Sequence, residues 1–174
     1  MTTTPFAPAG ARVLGTTRLL ALPLLVLALA GCAAPAAEPT PDETVACDVR
    51  VVVDFGVLDE GSIDSCGEAG PAQDVLADAG VSTEGTVDYG DQIVCRVNDR
   101  PAVDETVTVE GEEPFTEPCV SMPVATAYWA LWVKNTPDGE WEYAQEGVGT
   151  LELEAGQSVG LVYTAGLDSV PPAG

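Results

Sequence analysis

The 174-residue chain contains no histidine, and its six basic residues face 28 acidic ones, a net charge of −22. Without an imidazole there is no Ser-His or Cys-His pair, so hydrolase-type triads are excluded. So few cations leave nothing to neutralise a run of phosphates, which excludes nucleic acid as a partner. They also leave no polybasic patch for anionic lipid headgroups. No CxxC spacing occurs, and with histidine absent a zinc site has little to be built from. The glycine-bearing stretches "YGDQ" and "EGVG" lack the lysine and the strand-to-helix context of a phosphate loop. A glycosidase-type carboxylate pair cannot be singled out among 28 acids, where any chosen pair reads as solvated surface. The chain is therefore read as non-enzymatic, with no cofactor.

Long apolar runs are also scarce. The single one, "LLALPLLVLALAGCAAP", follows Arg12 and Arg18 and is too short and alanine-rich for a membrane span. Its end, Leu29-Ala30-Gly31-Cys32, resembles the bacterial lipobox, in which small residues fit the signal peptidase and the cysteine thiol takes a diacylglycerol. Residues 1–31 are then a lipoprotein signal peptide and Cys32 is the lipidation site. The competing reading is an ordinary signal cut near Ala34 or Ala37. Two or more acyl chains anchor stably where one does not, which places the chain on the outer face of the cytoplasmic membrane, touching it only through the lipid. Loss of both arginines leaves four basic residues against 28 acidic ones, a net −24. Residues 32–46, rich in proline, alanine and acid, form a flexible tether of roughly 40 Å reach.

Once Cys32 is used for the lipid, Cys47, Cys66, Cys95 and Cys119 remain, an even number in an exported chain, and two disulfides follow. Four cysteines allow three pairings; the more local closures, Cys47 with Cys66 and Cys95 with Cys119, are favoured. The folded domain is expected over residues 47–165, with a disordered tail at 166–174. Within it, Val49, Val51, Val53 and Phe55 alternate with Arg50, Val52 and Asp54, a strand of period two. Ala72, Val75, Leu76 and Ala79 have helical spacing between Pro71 and Gly80, with Asp74 in the first turns. Further strands are expected near 91–97, 105–110, 127–133, 140–144 and 158–164. One helix among strands predicts an α+β fold with the helix laid on a mixed sheet. Asp54, Asp59, Glu60 and Asp64 offer carboxylates to a hard cation, but without EF-hand spacing they read as an acidic loop.

Aromatics make up only 6% of the chain, yet all three tryptophans and two of four tyrosines fall within "YWALWVKNTPDGEWEY". By strand parity Trp129 joins Ala127, Leu131 and Val133 in the core, while Tyr128 and Trp132 point to the other face across the small Ala130. Trp141 and Tyr143 share a face of the next strand and extend that slot or cap the core, depending on register. Tyr128, Trp132, Trp141 and Tyr143 are thus the candidate ligand-binding residues. The turn "NTPDG" is expected to supply a fixed φ at proline and a positive φ at Asp-Gly.

The order "VRVVVDFG", "AQDVLADAG", "YGDQIVCRVNDRP", "AYWALWVKNTPDGEWEYAQEGVG" and "SVGLVYT" resembles the transcobalamin carboxy-terminal-like domains of small exported lipoproteins from high-GC Gram-positive bacteria. Tyr128, Trp129 and Trp132 match the family's first aromatic strand, Gly139 its turn, Trp141 and Tyr143 its second strand, and Gly147 the glycine beyond. Ala144 stands where that pattern has a serine, and the last strand lacks the aromatic the pattern has near Leu161. The resemblance implies a β-grasp-like domain that binds a corrinoid or another small organic nutrient, as an accessory to an uptake transporter. A cell-envelope protein-protein interaction module, with no small ligand, is the alternative.

Overall fold

The computed structural model describes residues 47–58 and 61–173; the expected signal peptide, Cys32 and the tether lie outside the described residues. The fold is α+β, with one helix and a mixed five-stranded sheet among the described residues. Strand β1 (Val49–Asp54) turns through a short 3-10 segment (Gly56–Leu58) into β2 (Ser62–Gly67), and the two pair antiparallel. Gly56 takes φ +52°, and a Cβ there would meet the Tyr163 carbonyl oxygen at 2.6 Å, so this turn admits no side chain.

After β2 come β3 (Gly70–Pro71) and helix α1 (Ala72–Asp78). Pro71 sets the entry, and Asp74 lies in the first turn near the positive end of the peptide dipoles. At the far end Gly80 (φ +76°) reverses the chain and the Val81 amide donates back to the Leu76 carbonyl at 2.8 Å. The helix lies close on β2, because a Cβ at Gly67 would strike the Val75 carbonyl. Strands β4 (Thr83–Thr86) and β5 (Gly90–Val97) make a separate antiparallel ribbon. Then follow β6 (Ala127–Lys134), β7 (Glu142–Tyr143), β8 (Glu152–Leu153, pairing with β3) and β9 (Ser158–Ala165).

The large sheet has the order β2-β1-β9-β6-β7, with β1 and β9 parallel and the other pairs antiparallel. Its first face carries Val49, Val51, Val53, Val159, Leu161, Tyr163, Ala127 and Trp129, all buried, and packs on Ala72, Val75 and Leu76 of α1. Its second face carries a smaller cluster of Ala130, Trp132 and Val162, with Tyr128 and Trp141 against it. Residues 166–173, expected as a disordered tail, return over this second face. The Gly166 amide donates to Thr126, the Thr164 and Ser169 hydroxyls meet at 2.8 Å, and Pro172 is buried where a Cβ on Gly160 would touch it.

Both favoured disulfides are formed. Cys47 joins Cys66, with Cα atoms 5.3 Å apart, locking the β1–β2 hairpin, and Cys95 joins Cys119, at 5.5 Å, tying the β5 ribbon to the next loop. Closures of this length contribute about 3 kcal/mol each, through the unfolded chain. The strand expected at 105–110 is not one. Val107 and Val109 bury their side chains, but the backbone makes a single bridge, Val107 with Phe115, and turns at Gly111 (φ +86°).

Candidate functional site

Strand parity along β6 is as expected, and the register of β7 decides what it means. Trp129 faces the helix side, 6% exposed, edge-on to Phe55 (5.4 Å) and Tyr163 (5.3 Å), with its Nε1 donating to the Arg100 carbonyl at 3.0 Å. Trp132 sits directly opposite Tyr143, and the two rings stack at 4.1 Å on the second face. One step along, the Lys134 ammonium lies 5.1 Å from the Trp141 ring centre. The Tyr128 and Tyr143 hydroxyls are 3.2 Å apart. All four candidate residues therefore share the second face.

They do not share an environment. Trp132 is 6% exposed beneath the Tyr143 ring, and the ring of Trp141 meets Pro172 of the returning segment over Gly160, the residue paired with Trp132. Neither indole Nε1 has a hydrogen-bond partner among the described residues. Tyr128 and Tyr143 instead line a cavity of about 550 Å³. Its floor is β6 from Tyr128 to Leu131, and its walls are Gln92–Val94 of β5, Met122–Ala125, and the chain from Tyr143 to Val148. The cleft exists because β7 is two residues long and the chain beyond it swings away from β6 toward β5. Gly147 and Gly149 make that departure possible. A Cβ on Gly147 would collide with the Gln92 carbonyl, and the Gly149 amide donates to Asp91 at 3.1 Å. A second depression of about 540 Å³ shares Tyr143, Gln145 and Glu146.

The hairpin turn differs from expectation in one detail. The Gly139 amide donates to the Thr136 carbonyl at 2.9 Å, but Gly139 does not take a left-handed conformation. Glycine fits there because a Cβ would press on the Thr136 hydroxyl at 2.8 Å.

Hydrogen bonding between the two phenols, then burial, raises the Tyr128 pKa above the ordinary tyrosine value. On the core side burial pushes Tyr163 up to about 12, helped by the negative charges of Glu117 and Glu105. The cations of the described chain are engaged away from the cleft. Arg50 pairs with Asp64 at 2.7 Å, and Arg100 pairs with Glu105 at 2.6 Å, which holds the Glu105 carboxyl below its usual range. Arg96, buried, donates to Glu84 and to the carbonyls of Pro101 and Glu117. In the acidic loop Asp64 is spent on Arg50 and Asp54 accepts from the Gly56 amide, while Asp59 and Glu60 lie outside the described residues. Cys95, Glu117 and Cys119 converge as metal ligands would, but both sulfurs are used in their disulfide and Glu117 accepts from the Cys119 amide.

Sequence reasoning singled out neither Gln92, Met122 and Val124 nor Gln145 and Glu146, which line the cleft from three separate segments. Gly147 was the one available signal, since a glycine at a fixed distance after an aromatic strand marks a close backbone approach. No protein-family model, curated protein or solved structure matches this chain.

Proposed function

We propose that the chain is a lipid-anchored, non-enzymatic binding module on the outer face of the cytoplasmic membrane, holding a small organic nutrient in the Tyr128–Tyr143 cleft for an uptake transporter. The observation that carries this reading is the cleft: about 550 Å³, within the size range of small-molecule sites, with an apolar floor and a few polar groups at its rim. The tyrosines supply flat apolar area with a hydrogen-bonding tip, and the Gln92 and Gln145 amides can orient a bound molecule. Trp132 acts behind the site, stacking on Tyr143, and Trp141 packs beside Gly160 rather than in the cleft. The lipobox-like Leu29–Cys32 motif supports the anchor. For the fold we propose a β-grasp-like domain. In its support, the first and last long strands are parallel neighbours at the sheet centre, each is flanked by an antiparallel partner, and the helix lies in the crossover.

Titration of intrinsic fluorescence with cobalamin, its fragments, cell-wall sugars and small nitrogenous nutrients tests the reading. A saturable change with one class, lost in Tyr143→Ala, is expected; silence toward all of them would count against it. Exposure of Met122 (58%) and Val124 (45%) along one wall, with Val120 (48%) just before it in the chain, supports a second reading, in which this rim docks an envelope protein. Crosslinking in intact cells would favour that one if a single partner recurs and is lost when Met122 and Val124 are made serine.

A further inference from the structure

We infer that the cleft selects an organic cation, a molecule with a quaternary or protonated amine beside an apolar body. This rests on the binding-module reading and adds the charge class of its ligand. Three observations lead to it. Glu146 is the one carboxylate among the described residues that line the cleft, and no lysine or arginine lines it. Arg50, Arg96, Arg100 and Lys134, the basic residues of the described chain, are held by Asp64, by Glu84 and two carbonyls, by Glu105, and over Trp141. An anion entering the cleft would meet no counter-charge, and the net −22 of the chain would repel it on approach.

The rings make the positive case. Tyr143 has one face covered by Trp132, yet remains 43% exposed toward the cavities it lines. Tyr128 lies beside it, hydroxyl to hydroxyl. Electron-rich ring faces next to a carboxylate favour a weakly hydrated cation over a neutral molecule of the same shape. The same hairpin already shows the preference in miniature, holding the Lys134 ammonium 5.1 Å from the Trp141 ring. Gln92 and Gln145 carbonyl oxygens add acceptors for an amine N–H.

The test compares three probes of one shape on the full chain in non-ionic detergent: benzyltrimethylammonium, its neutral carbon analogue neopentylbenzene, and benzylsulfonate. Affinity is read from the ring resonances of Tyr128 and Tyr143. We expect the cation to bind about tenfold more tightly than the neutral analogue, the sulfonate not at all, and added salt to weaken only the cation. Glu146→Gln, a change at an exposed position, should remove about fivefold of that preference and leave neopentylbenzene unaffected. Equal binding of cation and neutral analogue, or preference for the sulfonate, would overturn the charge assignment while leaving a small-molecule site in place. No shift with any probe, or shifts confined to residues outside the cleft, would overturn the assignment together with the site for molecules of this size.

Discussion

The two faces of the central sheet solve the same problem with different materials. On the first, a helix covers a run of valines, and the Trp129 indole is held edge-on by two rings with its N–H bonded to a carbonyl. On the second, Tyr143 stacks on Trp132 and a proline-bearing return segment meets Trp141 over Gly160, and neither indole N–H has a partner among the described residues. A buried donor left unsatisfied costs about 1–3 kcal/mol. The first face is thus built for stability. The second gives up part of that stability at two unpaired indole N–H groups, one of them on the ring that stacks under Tyr143.

Variants that exploit this contrast rank by expected effect. Trp129→Ala should destabilise by about 4 kcal/mol, because it opens a ring-sized cavity and leaves the Arg100 carbonyl without its donor; a denaturant midpoint shift measures it. Gly160→Ala should destabilise by about 1–2 kcal/mol by pushing Pro172 off the second face, and its tryptophan emission should shift to the red as Trp132 and Trp141 become wet. The first face should be unaffected, with the near-ultraviolet signal of Trp129 retained. Trp132→Phe should change stability by under about 0.5 kcal/mol, since the stack on Tyr143 survives and an unsatisfied donor is removed.

The first face is also sensitive to alkali. Tyr163, pushed up to about 12 by burial against an ordinary value near 10.0, binds its proton more tightly in the folded state. Stability is therefore full below pH 10 and is lost as pH rises from there toward 12. Tyr163→Phe should flatten that loss, read as the melting temperature against pH. In acid the sign reverses. Arg100 holds the Glu105 carboxyl low, and Arg50 does the same for Asp64, so their contributions are present above the ordinary carboxylate range and fade as pH falls below it.

Elements that bury one face against the core were readable. Val49, Val51 and Val53 alternate, Ala72, Val75 and Leu76 recur at helical spacing, and β6 and β9 are apolar enough to stand out. The edge strand β2, "SIDSCG", and β4, "TEGT", were not readable, since edge strands expose most side chains and carry little period. The "ETVTVE" stretch has the alternation of a strand but no neighbour to pair with beyond one bridge. For the site, parity placed Tyr128 and Trp132 on one face from sequence alone. Their different fates depend on the ring stack with Tyr143 and on a cleft assembled from four segments, and no local pattern encodes either.

The most direct measurement is equilibrium dialysis of the purified chain against a cell-free growth-medium extract, followed by mass spectrometry of what is retained. The account predicts that one class of small organic molecule is held by the chain and released by a Tyr128→Ala, Tyr143→Ala double variant that still shows the Trp129 signal. Retention of the same molecules by that variant, or of none by the parent chain, would contradict it.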